Sequence, residues 1–404
     1  MAAVVAGCSS SNHTRTTDVA AQKKVEAAGE VPASATATTP PAPRARVSIT
    51  PSGGSGAVSP LSAIVVKATA GTLSSVTVRS SSGALVAGAM SADHTSWTST
   101  EVLGYSKTYA VAAVAKNADG VATKLAKQLA TVTPATLTLP YLFPTGSVRT
   151  VGIGQPITVR FDESIADKAA AQRALSVKTS PTTQGSWYWL SDREVHWRPR
   201  VYWRPGTTVK VTAKVYGVNV GNNIYGQQDV TSSFKIGPSR IATIDDRTHM
   251  MVVRISGKVV RHIPVSMGRG GSKTVNGKTI YFSTQSGPHV VQEKYLVKRM
   301  TSASYGLPKT DPMGYDEDIK LAVRISGDGE FIHSAPWSVW AQGSRNTSHG
   351  CVNVSPSNAQ WFYDTFSYGD VVDIENTGVT LPLGTKYGDW TLSWTAWQKG
   401  SALG

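Results

Sequence analysis

From about Ala63 to Val215, short runs alternate apolar and polar residues, the pattern that puts every second side chain on one face of a strand. Ala63-Ile-Val-Val-Lys, Ser75-Val-Thr-Val-Arg and Thr108-Tyr-Ala-Val-Ala-Ala-Val are separated by Gly, Ser, Asn and Asp, the residues of turns. About a hundred residues later Pro156-Ile-Thr-Val-Arg-Phe, Leu175-Ser-Val-Lys and Thr208-Val-Lys-Val-Thr-Ala-Lys-Val repeat the plan. Trp97 precedes Tyr109 by twelve positions and Trp197 precedes Val209 by twelve, a weak internal repeat.

Many short strands at this turn spacing predict two immunoglobulin-like β-sandwiches, over 47–134 and 135–238, which would act as a rigid spacer. Ala166 to Leu175 reads as a short helix inserted in the second. Trp187, Trp189, Trp197 and Trp203 are assigned to packing rather than to a sugar-stacking platform, because large aromatics in a sandwich mostly bury their area.

A third, β-rich α+β section is expected over 239–376. Met250–Ile255 and Lys258–Val265 flank Ser256-Gly257, a two-residue hairpin signal. Phe282 to Met313 is turn-rich and weakly periodic, and it reads as a long loop, either a functional lid or disordered. Ser355-Pro356 marks a helix start, with the helix following over Asn358–Phe366. Gly369-Asp-Val-Val-Asp-Ile reads as a closing strand. In the extension 377–404, Trp390, Trp394 and Trp397 fall at helical spacing and read as a packing stripe.

Composition changes the picture in two places. The 404 residues carry a net charge of +14, which invites a nucleic-acid reading. No recognition helix, zinc spacing or stacked-aromatic RNA motif supports it, and a basic protein facing an anionic envelope polymer fits the charge. The start, Val5-Ala6-Gly7-Cys8, resembles a bacterial lipobox, so residues 1–8 are expected to be a partial lipoprotein signal with Cys8 the lipidated residue. The residues ahead of Cys8 are too few for a whole signal peptide, so the true start is expected upstream. No stretch reaches the ~20 apolar residues of a membrane span. The expected location is the outer face of the plasma membrane, with the lipid as sole membrane contact. Residues 9–46, rich in Ala, Thr, Ser and Pro, read as a disordered tether.

The chain has only two cysteines, so Cys351 has no intrachain partner if Cys8 carries lipid. Read as a strand, Ser348-His-Gly-Cys-Val-Asn-Val354 puts His349, Cys351 and Asn353 on one face and Gly350, Val352 and Val354 on the other. Upstream, Phe331-Ile-His333-Ser-Ala-Pro is a second apolar strand ending in histidine. A thiol needs a base, and the base needs a third group to fix its tautomer. His333, arriving from another strand, can face the sulfur. It is therefore assigned as base, with the Ser334 carbonyl as orienter and His349 in second line. The Gly350 and Cys351 amides are candidate oxyanion donors. No third ligand pattern accompanies the two histidines, so neither a metal nor a cofactor is expected.

The run His333-Ser-Ala-Pro-Trp followed by Ser348-His-Gly-Cys-Val-Asn-Val resembles the signature of the YkuD-like L,D-transpeptidases, and the whole organisation resembles their mycobacterial type. The resemblance implies that Cys351 attacks a donor tetrapeptide stem of peptidoglycan, with loss of D-Ala. The amine of an acceptor stem then resolves the acyl-enzyme, and carbapenem β-lactams acylate the same cysteine. It places Tyr315, Met300, Asn353, Gly329, Trp337 and Ser348 at substrate-binding positions. Trp340 departs from the smaller residue expected there. An envelope adhesin built on the sandwiches would leave the Cys351 constellation idle. A cysteine hydrolase would share the acyl-enzyme and differ only in whether water or an amine resolves it.

Overall fold

The computed structural model describes residues 40–52 and 57–404. Cys8 and most of the expected tether lie outside these residues. The folded chain is mostly β, and it starts one strand residue inside the stretch assigned to the tether. Arg46–Thr50 is a strand and Ala45 is buried in the first core.

That core lies between two sheets. Arg46–Thr50, Val65–Thr69, Ser96–Ser99 and Gly88–Met90 form one, and Thr72–Ser80, Thr108–Lys116 and Ala122–Ala130 form the other. Tyr109, Val111, Ala113 and Ala115 turn inward from Thr108–Lys116, as its alternation requires. The second sandwich sets Thr150–Val151, Val230–Ile236, Thr208–Ala213 and Leu175–Ser180 against Gly185–Trp189, Glu194–Pro199, Ile157–Phe161 and Pro140–Phe143. Trp187, Trp189, Trp197 and Trp203 are all buried in its core, so they are packing residues.

The repeat has a physical counterpart. Gly88 lies opposite Ser99, and a Cβ on it would meet the Trp97 ring at 1.9 Å. Gly185 lies opposite Pro199, and a Cβ there would meet the Trp197 ring at 1.9 Å. In each sandwich an indole lies across a glycine on the neighbouring strand, a space that no side chain can share. The inserted helix is shorter than expected, Lys168–Arg173, capped by the Asp167 side chain, because Leu175 already belongs to a strand. Between the sandwiches, Tyr105 Oη donates to Gly226 O (2.7 Å) and accepts from the Gly217 amide (2.7 Å).

The third section has a two-stranded sheet, Ser272–Val275 with Lys278–Tyr281, and two larger ones. One orders Lys258–Pro264, Met250–Ile255, Arg240–Asp245, Val371–Glu375 and Gly287–Val290, and the other Glu293–Thr301, Asp316–Arg324, Phe331–Ser334 and Val352–Val354. Ala242, Met251, Val265, Ile332, Val354 and Phe362 share the core of this section. Ser256 (φ 50°) and Gly257 (φ 82°) make the expected two-residue hairpin turn. Ser355 Oγ caps the helix Pro356–Thr365.

Two expectations change. Phe282–Met313 is not a long loop, since it holds the strands Gly287–Val290 and Glu293–Thr301 and a 3₁₀ turn at Ser302–Tyr305. None of the nine residues of Glu293–Thr301 is buried, so the strand carries no apolar face for the sequence to display. The closing strand forms as expected, at Val371–Glu375, and lies inside its sheet, parallel to Arg240–Asp245 and antiparallel to Gly287–Val290. Trp390, Trp394 and Trp397 do not form one helical stripe, because Trp390 lies in the 3₁₀ turn Gly388–Thr391 and the other two in the helix Trp394–Gln398. They gather instead around Arg198 of the second sandwich, at 4.7, 5.7 and 4.7 Å from its guanidinium carbon.

Candidate active site around Cys351

The strands Phe331–Ser334 and Val352–Val354 run parallel, with Ile332 opposite Val352, His333 opposite Asn353 and Ser334 opposite Val354. Ile332, Val352 and Val354 anchor this pair in the core. The strand expected over 348–354 is confined to Val352–Val354. Ahead of it the backbone turns through Gly350 at φ 138°, a conformation glycine adopts without strain. Alternation therefore fails for His349, which leaves the strand altogether.

Met300, Tyr315, Gly329, His333, Trp337, Ser348, His349, Gly350, Cys351 and Asn353 nevertheless all line one cavity of about 840 Å³. Ser334 does not line it. Its carbonyl lies 3.1 Å from His333 Nδ1 and, being an acceptor only, fixes the proton on that nitrogen. The Nε2 lone pair is then left as the basic position of the ring. Burial pushes His333 down to about 4, so the ring is neutral at physiological pH.

Cys351 is a free thiol whose Sγ donates to Gly329 O at 3.8 Å. Burial pushes the thiol up to about 12, and the Glu330 carboxylate adds to the shift. The pair at rest is thus neutral thiol and neutral imidazole. A proton acceptor is needed at the moment the sulfur attacks.

His349 packs edge-on against Phe282 (5.2 Å) and at a tilt of 49° against Tyr315 (5.3 Å). Arg269 Nη2 lies 3.1 Å from its Nε2 and 3.3 Å from its Nδ1. Burial and then the guanidinium charge push His349 down to about 4. Of the two expected oxyanion donors, the Gly350 amide already donates to Ser348 Oγ at 3.1 Å, which corrects that assignment. Ser348 Oγ in turn donates to Cys351 O at 2.6 Å, so Ser348 ties the turn together.

Asn353 Nδ2 donates to Ser338 Oγ (3.1 Å), while its Oδ1 is buried without a partner. A buried acceptor that lines a cavity is a place for a ligand N–H. Burial pushes the Tyr315 phenol far up, so it stays a neutral donor. Trp340, the departure noted above, stands at the cavity mouth with 66% of its surface exposed. Its Nε1 donates to Trp337 O (3.1 Å) and Arg345 lies over its ring at 5.2 Å, so it packs on its own loop.

Sequence reasoning missed Arg269, Ser338 and Thr284. Thr284 accepts from the Gly268 amide (2.9 Å) and donates to Gly350 O (2.7 Å), holding the turn from below. All three lie in turn-rich stretches without periodicity, and only the Gly-Arg-Gly-Gly run at 268–271 marks one of them.

A β-framed cavity with a half-buried thiol, and an imidazole of fixed tautomer on the adjoining strand, defines a cysteine-dependent acyl-transfer enzyme. The L,D-transpeptidase catalytic domain (YkuD) matches residues 239–374, and the bacterial Ig domain matches 55–219. L,D-transpeptidase 2 of Mycobacterium tuberculosis is 45% identical over 84% of this chain and 80% of its own length. L,D-transpeptidase 5 of the same organism is 38% identical over 94% of this chain and 81% of its own. A solved structure of the L,D-transpeptidase LdtMt1 in complex with imipenem is 30% identical, covering 58% of this chain and 97% of that one with a TM-score of 0.48. The chain belongs to the L,D-transpeptidase family.

Proposed function

We propose that the protein cross-links peptidoglycan, with Cys351 as nucleophile and His333 as its proton acceptor and donor. One observation carries the assignment of roles: the free Cys351 thiol and the His333 imidazole, its Nδ1 held by the Ser334 carbonyl, line the same cavity.

The sulfur attacks the carbonyl carbon of the third residue of a donor tetrapeptide stem while its proton passes to His333 Nε2. As the tetrahedral adduct collapses, the bond to the terminal D-Ala breaks and its nitrogen takes that proton. The thioester is resolved by the side-chain amine of an acceptor stem. His333 removes the amine proton, the new amide forms, and the sulfur leaves and recovers its proton. Burial keeps His333 free of a proton at physiological pH, so the base is available at rest. Asn353 Oδ1 receives a donor-stem N–H, and the neutral Tyr315 phenol donates to a stem oxygen. Met300, Gly329 and Trp337 shape the cavity around the stem. Carbapenem β-lactams are taken as donor mimics, acylating Cys351 through their strained carbonyl.

We also propose that the enzyme works outside the plasma membrane, held by lipid on Cys8. The run Val5-Ala6-Gly7-Cys8 supports this, and loss of fatty-acid labelling in Cys8→Ala tests it. Transpeptidation itself is tested by incubating the protein with a tetrapeptide donor and a diaminopimelate-bearing acceptor. The expected product is a dimer linked between third residues, with release of D-Ala. Release of D-Ala with tripeptide as the sole product, at every acceptor concentration, would make the enzyme a carboxypeptidase instead.

A further inference from the structure

The outward face of the sheet Thr150–Val151, Val230–Ile236, Thr208–Ala213 and Leu175–Ser180 bears a groove of about 630 Å³, lined by Arg149, Lys178, Lys210 and Lys235. Register places Lys178 directly opposite Lys210, and Lys210 directly opposite Ser233, so Lys235 is its diagonal neighbour two residues on. The inward residues between them, Val177, Val209, Val211, Phe234 and Ile236, pack on the sandwich core. The pleat therefore drives the cations together onto one exposed face. Like charges directly opposite on paired strands are destabilising, so the arrangement is unfavourable for the isolated fold.

Nothing among the described residues offsets it. None of the four cations makes an ion pair there, and the sandwich's own carboxylates are engaged elsewhere. Asp162 accepts from Thr138, Asp167 caps the short helix, and Asp229 accepts from the Tyr216 amide. Glu163 pairs with Arg193, Asp192 with Lys168, and Glu194 with His196. The row of cations is flanked by hydroxyls, with Ser180, Thr208 and Ser233 at the same groove. Cations with unpaired charge, edged by small hydroxyl donors, suit a ligand bearing several carboxylates.

We propose that this face is a docking site for peptidoglycan, gripping the free carboxylates of its stem peptides and so keeping the enzyme on the polymer it modifies. The inference rests on the proposed substrate, whose stems carry free carboxylates at regular intervals. A polymer with repeated charges can bind weakly at each contact and firmly overall.

The test is co-sedimentation of the Cys351→Ala protein with insoluble peptidoglycan stripped of phosphate-bearing polymers, across a salt series. Lys178→Gln, Lys210→Gln and Lys235→Gln combined with Arg149→Gln should weaken binding roughly tenfold or more and flatten its salt dependence. Each single substitution should do so in part. Amidating the carboxylates of the peptidoglycan should weaken wild-type binding as much as the variant loses. Turnover of a soluble tetrapeptide by the otherwise wild-type enzyme should be unchanged, and its melting temperature should hold or rise as the opposed lysines are removed. Equal sedimentation of variant and parent overturns the proposal, as does undiminished binding to amidated peptidoglycan, or binding only to material that retains its phosphate polymers. Soluble-donor turnover reports separately on the proposed chemistry, so the two can fail independently.

Discussion

Alkylation of Cys351 as a function of pH tests how the thiol is held. Burial pushes it up to about 12, from an ordinary value near 9. At pH 7 the thiolate fraction is then about 10⁻⁵, against about 10⁻² for an unburied thiol. Iodoacetamide should therefore label the protein about 10³-fold more slowly at pH 7 than it labels a free cysteine peptide, and the rate should climb about tenfold per pH unit with no plateau below about pH 11. Acylation by a donor stem should behave differently, because His333 takes the proton as the sulfur attacks. Its rate should be flat from about pH 5 to about 10 and fall below that as His333 protonates near 4. In His333→Ala the acylation rate at pH 7 should drop ~10²–10⁴-fold and become dependent on hydroxide, like alkylation. The readouts are intact mass for acylation and mass-resolved labelling for alkylation. An alkylation plateau between pH 5 and 8 in the wild-type protein would mean a preformed thiolate–imidazolium pair, and the neutral-pair reasoning would be refuted.

Three further outcomes are expected. Arg198→Ala removes a guanidinium that stacks on three tryptophans and donates to the carbonyls of Asp389 and Leu392, and should cost about 2–5 kcal/mol, read as a lowered melting temperature and faster proteolysis of the C-terminal extension. Burial pushes His196 down, but the Asp389 and Glu194 carboxylates outweigh it and raise it to about 9. Its stabilisation is therefore complete below the unfolded value of about 6.5 and lost as pH rises through 9, so wild-type melting temperature should fall over that window while His196→Gln shows a flatter profile. Asn353→Leu should raise KM for the donor stem by roughly tenfold or more with a smaller change in melting temperature, since the unpaired Oδ1 serves a ligand rather than the fold.

Much of the scaffold was legible because its strands bury one face. Thr108–Lys116 and Thr208–Ala213 alternate cleanly, and the Trp97 and Trp197 spacing reflects indoles laid across Gly88 and Gly185. The hairpin at Ser256-Gly257 and the cap at Ser355 were readable from local turn and cap chemistry. Glu293–Thr301 was not, because a strand half exposed on both faces shows no period. Within the site, the cysteine, two histidines and asparagine stood out as reactive types around an apolar strand. The reasoning that placed His349 beside Cys351 on one strand face failed, because Gly350 breaks the strand before the alternation can apply. Arg269 and Thr284 approach from segments some 80 and 66 residues away in sequence, a closeness set by the packing of two sheets and by no local pattern.

The central claim is that Cys351 carries the acyl group, and intact-protein mass spectrometry with a tetrapeptide donor tests it most directly. The wild-type protein should gain the mass of the donor less D-Ala and return to its starting mass when diaminopimelate is added. Cys351→Ala, folded and with an unchanged circular dichroism spectrum, should gain nothing. Donor turnover by that variant, or an adduct that maps to another residue, would contradict the account.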